Sequence, residues 1–222
     1  MKKMTVEIWS DVMCPFCYIG KRRLEEALRS LPHKELVEVK WNSFQLYPNL
    51  EYDPQRDTFS HLAQIKGQTR EWAVLVHNSL THTARGMGLE YNFDKAQITD
   101  SFDAHRIIQL AKKYNRTDPM QERLFKAYFT EGELISDHPT LVRLAEEAGL
   151  PKEEAAQVLA SDRYGAEVQR DAAEARRMGV NAVPFFVLNG QYAIVGAQDP
   201  QVFKETLQKA WEDWVKEKAM ED

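Results

Sequence analysis

"SDVMCPFCYIGKRRLEEAL", residues 10–28, holds both cysteines of a 222-residue chain, Cys14 and Cys17. A small secreted domain stapled by disulfides spreads several cysteines along its length, whereas this pair closes too short a loop to restrain the unfolded chain much. Redox chemistry, half of a metal site, or chance remains. A tetrahedral metal takes about four ligands, but there is no second cysteine pair. His33, His61, His77, His82, His105 and His138 include no pair at i, i+3 or i, i+4. No metal is therefore expected, and the two thiols themselves are the candidate chemistry.

Their neighbours say what kind. "TVEIWS" (5–10) alternates Val6, Ile8 and Ser10 against Thr5, Glu7 and Trp9, the pattern of a strand. After the cysteines, Leu24, Ala27, Leu28 and Leu31 recur at i, i+3, i+4, i+7, the stripe of a helix that packs one face on a core. Pro15 suits the first turn of that helix, which puts Cys14 at an exposed helix mouth and Cys17 one turn inside. Unpaired backbone N–H groups and the positive end of the helix dipole favour a thiolate there. Cys14 is thus the expected attacking sulfur and Cys17 the resolving one.

"ELVEVKWNSF" (35–44) reads as a second strand, giving β-α-β with a right-handed crossover. From about Asp53 to Met178 the pattern is helix after helix, over residues 70–88, 99–114, 118–131, 137–149, 151–162 and 166–179. Asp118 before Pro119 predicts a helix cap, and Gly149 and Gly179 predict helix stops. An apolar run over 185–188, an Asn189-Gly190 turn, a strand through Ile194 and Val195 and a helix from near Pro200 close the chain. The last helix presents Val202, Phe203, Leu207, Ala210, Trp211 and Trp214 on one face. Trp41, Phe44, Tyr47, Trp72 and Phe102 are expected to be core. The expected architecture is α/β, with a discontinuous domain of 1–52 and 179–222 around a helical insertion of 53–178.

Composition excludes other classes. With 43% hydrophobic residues, 28% charged and a formal net charge of −5, the chain is globular and offers nucleic acid no basic surface. No apolar stretch approaches the ~20 residues that span a bilayer, so no membrane partner is expected. Glu7 and Asp11 interrupt anything like a signal-peptide core. A reducing cytoplasm is the expected location, where an isolated thiol pair is catalytic rather than structural.

Three stretches, "SDVMCPFCYIGKRRLEEAL", "SFDAHRIIQLAKK" and "MGVNAVPFFVLNGQYAIVGAQ", stand in an order that resembles the thioredoxin superfamily, in its DsbA-like branch and most closely its FrnE subgroup. The resemblance implies a thioredoxin fold, a mixed central sheet with a large all-helical insertion. It implies a cis Val183–Pro184 bond in a loop that abuts the thiols, with Pro15 and Phe16 as further support. Proline there has no N–H, while the carbonyl and N–H of Val183 can pair with an extended substrate. The implied activity is disulfide exchange on protein or peptide thiols by a monomer or homodimer. A Cys14–Cys17 disulfide would be the redox group, with no bound cofactor and glutathione as a candidate reductant. His105, most simply a helix-face residue, is a candidate for lining the cleft because titrating groups near thiols are useful.

Two departures stand out. Ile8 occupies the position where many relatives carry a buried carboxylate, and Phe16 cannot donate a hydrogen bond to a thiolate as histidine can. Two other functions are open. One is a glutathione-dependent isomerase or transferase of the 2-hydroxychromene-2-carboxylate isomerase kind. These usually keep serine at the Cys14 position and need no resolving cysteine, so the retained pair counts against them. The other is a non-enzymatic redox-sensing binding module or holdase.

Overall fold

The structure, a computed structural model, describes residues 3–221. The chain runs β1 (Met4–Ser10), α1 (Pro15–Ser30), β2 (Val37–Ser43), α2 (Thr58–Lys66), α3 (Arg70–Arg85), α4 (Phe102–Lys113), α5 (Thr117–Lys126), α6 (His138–Glu147), α7 (Lys152–Leu159), α8 (Gly165–Arg177), β3 (Phe185–Leu188), β4 (Tyr192–Val195) and α9 (Pro200–Glu221). It divides into a sheet unit, made of the chain up to Phe44 and from Asp171 onward, and a helical unit, Gln45–Arg170.

The sheet unit holds four strands in the order β2-β1-β3-β4. β1 pairs with β2 in parallel, from Met4 opposite Val37 to Ser10 opposite Ser43. It pairs antiparallel with β3, Val6 facing Leu188 and Trp9 facing Phe185. Asn189 and Gly190, at φ 51° and 67°, turn β3 into β4, the left-handed pair that a tight hairpin requires. The alternation read in residues 5–10 is the observed one. Met4, Val6 and Ile8 face a core with Leu24 and Ala27 of α1, Leu31 at its C-cap, Phe186 and Leu188 of β3, and Phe203, Leu207 and Ala210 of α9. Fully burying each such Leu, Ile or Phe stabilises the unit by about 1.5–3 kcal/mol. Val202 is the exception on α9 and faces solvent.

On the other side of β1, Trp9 is buried and packs edge-on to Phe185 at 6.2 Å. Its indole N–H donates to the carbonyl of Asp171 at 3.0 Å, and the Asp171 carboxylate accepts from the backbone N–H of Ser43 at 3.0 Å. These bonds tie the second half of α8 to the ends of β1 and β2. That is the physical reason the division falls inside α8, whereas the sequence placed it after residue 178 and put the earlier boundary after residue 52.

The helical unit contains α2 to α7. α2 has no counterpart among the sequence-predicted helices, yet it carries ordinary signals: the Asp57 carboxylate accepts from the N–H groups of Phe59 and Ser60, and Gly67 ends it at φ 61°. α5 begins at Thr117 with Arg116 at its cap, so Asp118 lies in the first turn instead of capping it. Gly149 follows α6 at φ 87° and Gly179 follows α8 at φ 76°, as stop positions. Tyr91, Phe93, Phe125, Tyr128 and Phe129 form the aromatic centre of this unit, with rings 4.7 to 6.4 Å apart. Trp41, in the sheet unit, is core, whereas Phe44, Tyr47, Trp72 and Phe102 are half-buried. No helix among the described residues is long and apolar enough to cross a membrane.

Candidate active site

β1 ends at Ser10 and delivers Asp11 into a tight turn. The Asp11 carbonyl accepts the N–H of Cys14 at 3.1 Å, and its carboxylate accepts the N–H of Met13 at 3.3 Å. Cys14 is the N-cap of α1 at φ −88°, ψ 111°, with Pro15 in the first turn. Its carbonyl accepts from the N–H of Cys17 at 3.0 Å. The cap position that Cys14 was expected to hold is therefore the one it has. Its expected exposure is not: Cys14 is 4% exposed and Cys17 1%. Instead of pointing into open solvent, the Cys14 sulfur donates to the carbonyl of Val183 at 3.4 Å. Phe16, between the two, is the exposed member of the motif at 47%.

The Val183–Pro184 bond is cis, as the resemblance implied. The Pro184 carbonyl accepts from the N–H of Gly196 at 2.8 Å, and Pro184 is buried. The structure thus brings Cys14, Pro15, Cys17, Val183 and Pro184 together within the sheet unit. His105 belongs to the helical unit, where it is buried on α4 with its backbone N–H bonded to the carbonyl of Ser101 at 3.0 Å.

Burial pushes the Cys17 thiol well above its ordinary range, and the hydrogen bond and charge of Cys14 push it further. Hydrogen bonds from the Ser10 side chain and the Asp11 backbone act in the opposite direction. Cys17 is therefore a protonated thiol at neutral pH, held beside Cys14. Ile8 is fully buried in β1, and Glu7 alternates to the other sheet face.

Three neighbours escaped the sequence reading. Gly20 turns its bare Cα toward the Pro184 loop: a Cβ there would stand 3.0 Å from Pro184 Cγ and 3.0 Å from Phe186 Cζ. A glycine inside an otherwise strong helical stripe was the available signal. The side chain of Ser10 bonds Cys17, and Arg23 reaches the carbonyls of Ala197 and Gln198. Neither contact has a signature in local sequence.

Residues 5–208 match the DSBA-like thioredoxin domain family. The chain is 33% identical over 205 residues to YwbO of Bacillus subtilis, an uncharacterised protein, covering 91% of this chain and 94% of that one. Among solved structures it is similar to the probable DsbA oxidoreductase SCO1869 of Streptomyces coelicolor. That match has 38% identity and a TM-score of 0.89, over 94% of this chain and 90% of the other. The fold is shared with the cytosolic disulfide reductase DsbM of Pseudomonas aeruginosa, solved with glutathione. There the identity is 18% and the TM-score 0.62, over 97% and 99% of the two chains. The cysteine pair at the head of α1, the proline loop against it and the match over most of the chain agree: the protein belongs to the DsbA-like thioredoxin family of oxidoreductases.

Proposed function

We propose that the protein exchanges disulfides with protein or peptide substrates, Cys14 acting as nucleophile and Cys17 as resolving thiol. The observation that carries this is the Cys14 sulfur against the Val183 carbonyl, beside a proline loop that can align an extended peptide.

In the reducing direction, the Cys14 thiolate attacks one sulfur of a substrate disulfide. A Cys14–substrate disulfide forms, and the other substrate sulfur leaves as a thiolate that takes up a proton. Cys17 then loses its proton and attacks the Cys14 sulfur, forming the Cys14–Cys17 disulfide and releasing the second substrate thiolate. The electron pair of the two cysteines has passed to the substrate. Run backward, the same steps oxidise a dithiol substrate.

Burial holds Cys17 protonated until Cys14 is consumed. Once Cys14 is in a mixed disulfide, its contribution to raising the Cys17 thiol is gone, and Cys17 becomes easier to deprotonate at the moment it is needed. A resolving thiol so placed has work in exchange and none in the isomerase reading. Glutathione is the candidate reductant of the resting disulfide, and the cytoplasm the compartment that would supply it. No bound cofactor, metal, nucleic acid or membrane enters the scheme, and it serves a monomer or a homodimer equally.

The test is trapping. Cys17→Ala incubated with a disulfide-linked peptide is expected to accumulate a Cys14–peptide adduct by intact mass, and Cys14→Ser to accumulate none. Wild-type protein that leaves the peptide disulfide untouched, with no adduct on Cys17→Ala, overturns the proposal.

A further inference from the structure

The geometry points to Arg23 as a positioning residue for substrate alignment: it holds the 196–198 turn that fixes Pro184, and through it the Val183 backbone beside Cys14. This rests on the exchange reading above and names a residue that reading does not use.

The contacts form a closed path within the sheet unit. From α1, the Arg23 guanidinium donates through Nη1 to the carbonyls of both Ala197 and Gln198. The turn those carbonyls belong to is drawn together by the N–H of Gln198 on the carbonyl of Gly196 at 3.1 Å. The N–H of Gly196 in turn donates to the carbonyl of Pro184 at 2.8 Å. Gly196 sits at φ 76°, a conformation that points its N–H at Pro184 with little strain only for glycine. From Pro184 the path reaches the Val183 carbonyl and, at 3.4 Å, the Cys14 sulfur at the head of α1. Gly20 gives the same helix a second bearing on the loop, directly against Pro184.

One helix thus carries the nucleophile at its N-cap and fixes the height of the substrate-aligning loop further along. Arg23 suits the second task because its long side chain brings one charged nitrogen, Nη1, to two adjacent carbonyls at once. Its cost is visible: Nε is buried without a partner. Asp199, just beyond the turn, supplies a compensating charge.

A loop that aligns substrate matters to a peptide, which must pair with Val183, and not to a small disulfide that needs only the Cys14 sulfur. Arg23→Ala is therefore compared with wild type on a disulfide-linked peptide and on a bis(nitrobenzoate) disulfide, which has no peptide backbone. The peptide rate is expected to fall about tenfold while the small-disulfide rate stays within about twofold, the signature of lost alignment with the thiol intact. Arg23→Lys, which retains donors for the two carbonyls, is expected to recover most of the peptide rate. Equal losses on both substrates, or no loss on the peptide, overturn the inference while leaving exchange itself standing. Wild-type protein inert toward both substrates removes the exchange reading and this inference with it.

Discussion

Gly20 and Pro184 meet so closely that a Cβ on the glycine would stand 3.0 Å from the proline Cγ. Two effects compete in Gly20→Ala. Helix propensity favours alanine by about 1 kcal/mol. Overpacking typically costs about 1–3 kcal/mol, and here the added methyl is also 3.0 Å from Phe186, which is almost fully buried in the core. With neither ring free to retreat, overpacking wins. The variant is expected to unfold at a lower denaturant midpoint than wild type and to lose exchange with peptides. A midpoint that rises would show that the loop yields and the contact is not a fixed bearing.

The raised Cys17 thiol predicts an order of alkylation. In the reduced protein at neutral pH, a limiting dose of iodoacetamide is expected to modify Cys14 before Cys17, because burial and Cys14 together hold Cys17 protonated. Cys14→Ala removes the second cause and leaves the first. In that variant Cys17 alkylation should shift to lower pH than in wild type, yet still lie above that of an ordinary exposed thiol. Peptide mass mapping across a pH series decides it, and an unchanged Cys17 profile in Cys14→Ala would refute the coupling.

In the helical unit, burial pushes His77 down to about 4, against weaker opposition from the Ala73 backbone and the charge of Asp57. Its ring packs between Phe59 at 5.0 Å and Phe93 at 4.2 Å. The folded value lies below the ordinary value of about 6.5, so the unfolded chain binds a proton the folded chain refuses. Stability should therefore fall as pH drops from about 6.5 toward 4. His77→Phe, which keeps the aromatic packing, is expected to flatten that part of the pH–stability curve. Parallel curves for the two proteins would mean that the histidine is not what acid attacks.

Arg106, almost fully buried on α4, donates to the carbonyls of Val158, Ser161 and Arg163 and pairs with Asp103 at 2.8 Å. It stitches the loop after α7 to α4. Arg106→Ala removes this donor from the carbonyls of Ser161 and Arg163, while Val158 keeps the N–H of Ser161 at 3.2 Å and Asp103 keeps His138 at 2.7 Å. The expected loss is about 1–3 kcal/mol, the cost of leaving buried acceptors unsatisfied. Arg106→Lys should restore only part of it, because one ammonium cannot match the fork. Urea unfolding of both variants measures the difference, and a loss under about 1 kcal/mol in Arg106→Ala would contradict it.

Legibility followed sequence distance. The Cys14 cap, the Asn189-Gly190 turn and the alternation of Val6 and Ile8 are written within a few residues and were readable as such. Pro184 is far from Cys14, and only the resemblance joined them. α2 is short and its buried positions, Thr58, His61 and Ala63, form no apolar stripe, so no periodicity announces it. The misplaced start of α5 came from reading Asp118-Pro119 as cap and first turn, when the chain enters the helix two residues sooner. Arg23 reads as one of three basic residues on a solvated face. Its work lies with carbonyls more than 170 positions away, beyond any periodicity. The expected exposure of Cys14 failed for the same reason, since its hydrogen-bond partner belongs to the far end of the chain.

That separation also sets an order of events when the chain is made. Cys14 and the carbonyl it rests against are 169 positions apart. Ribosomes add roughly 5–20 residues per second, so Cys14 is polymerised about 8 to 34 seconds before Val183. Throughout that interval the nascent chain carries its thiol pair without the loop that flanks it in the finished protein, and the sheet still lacks β3 and β4.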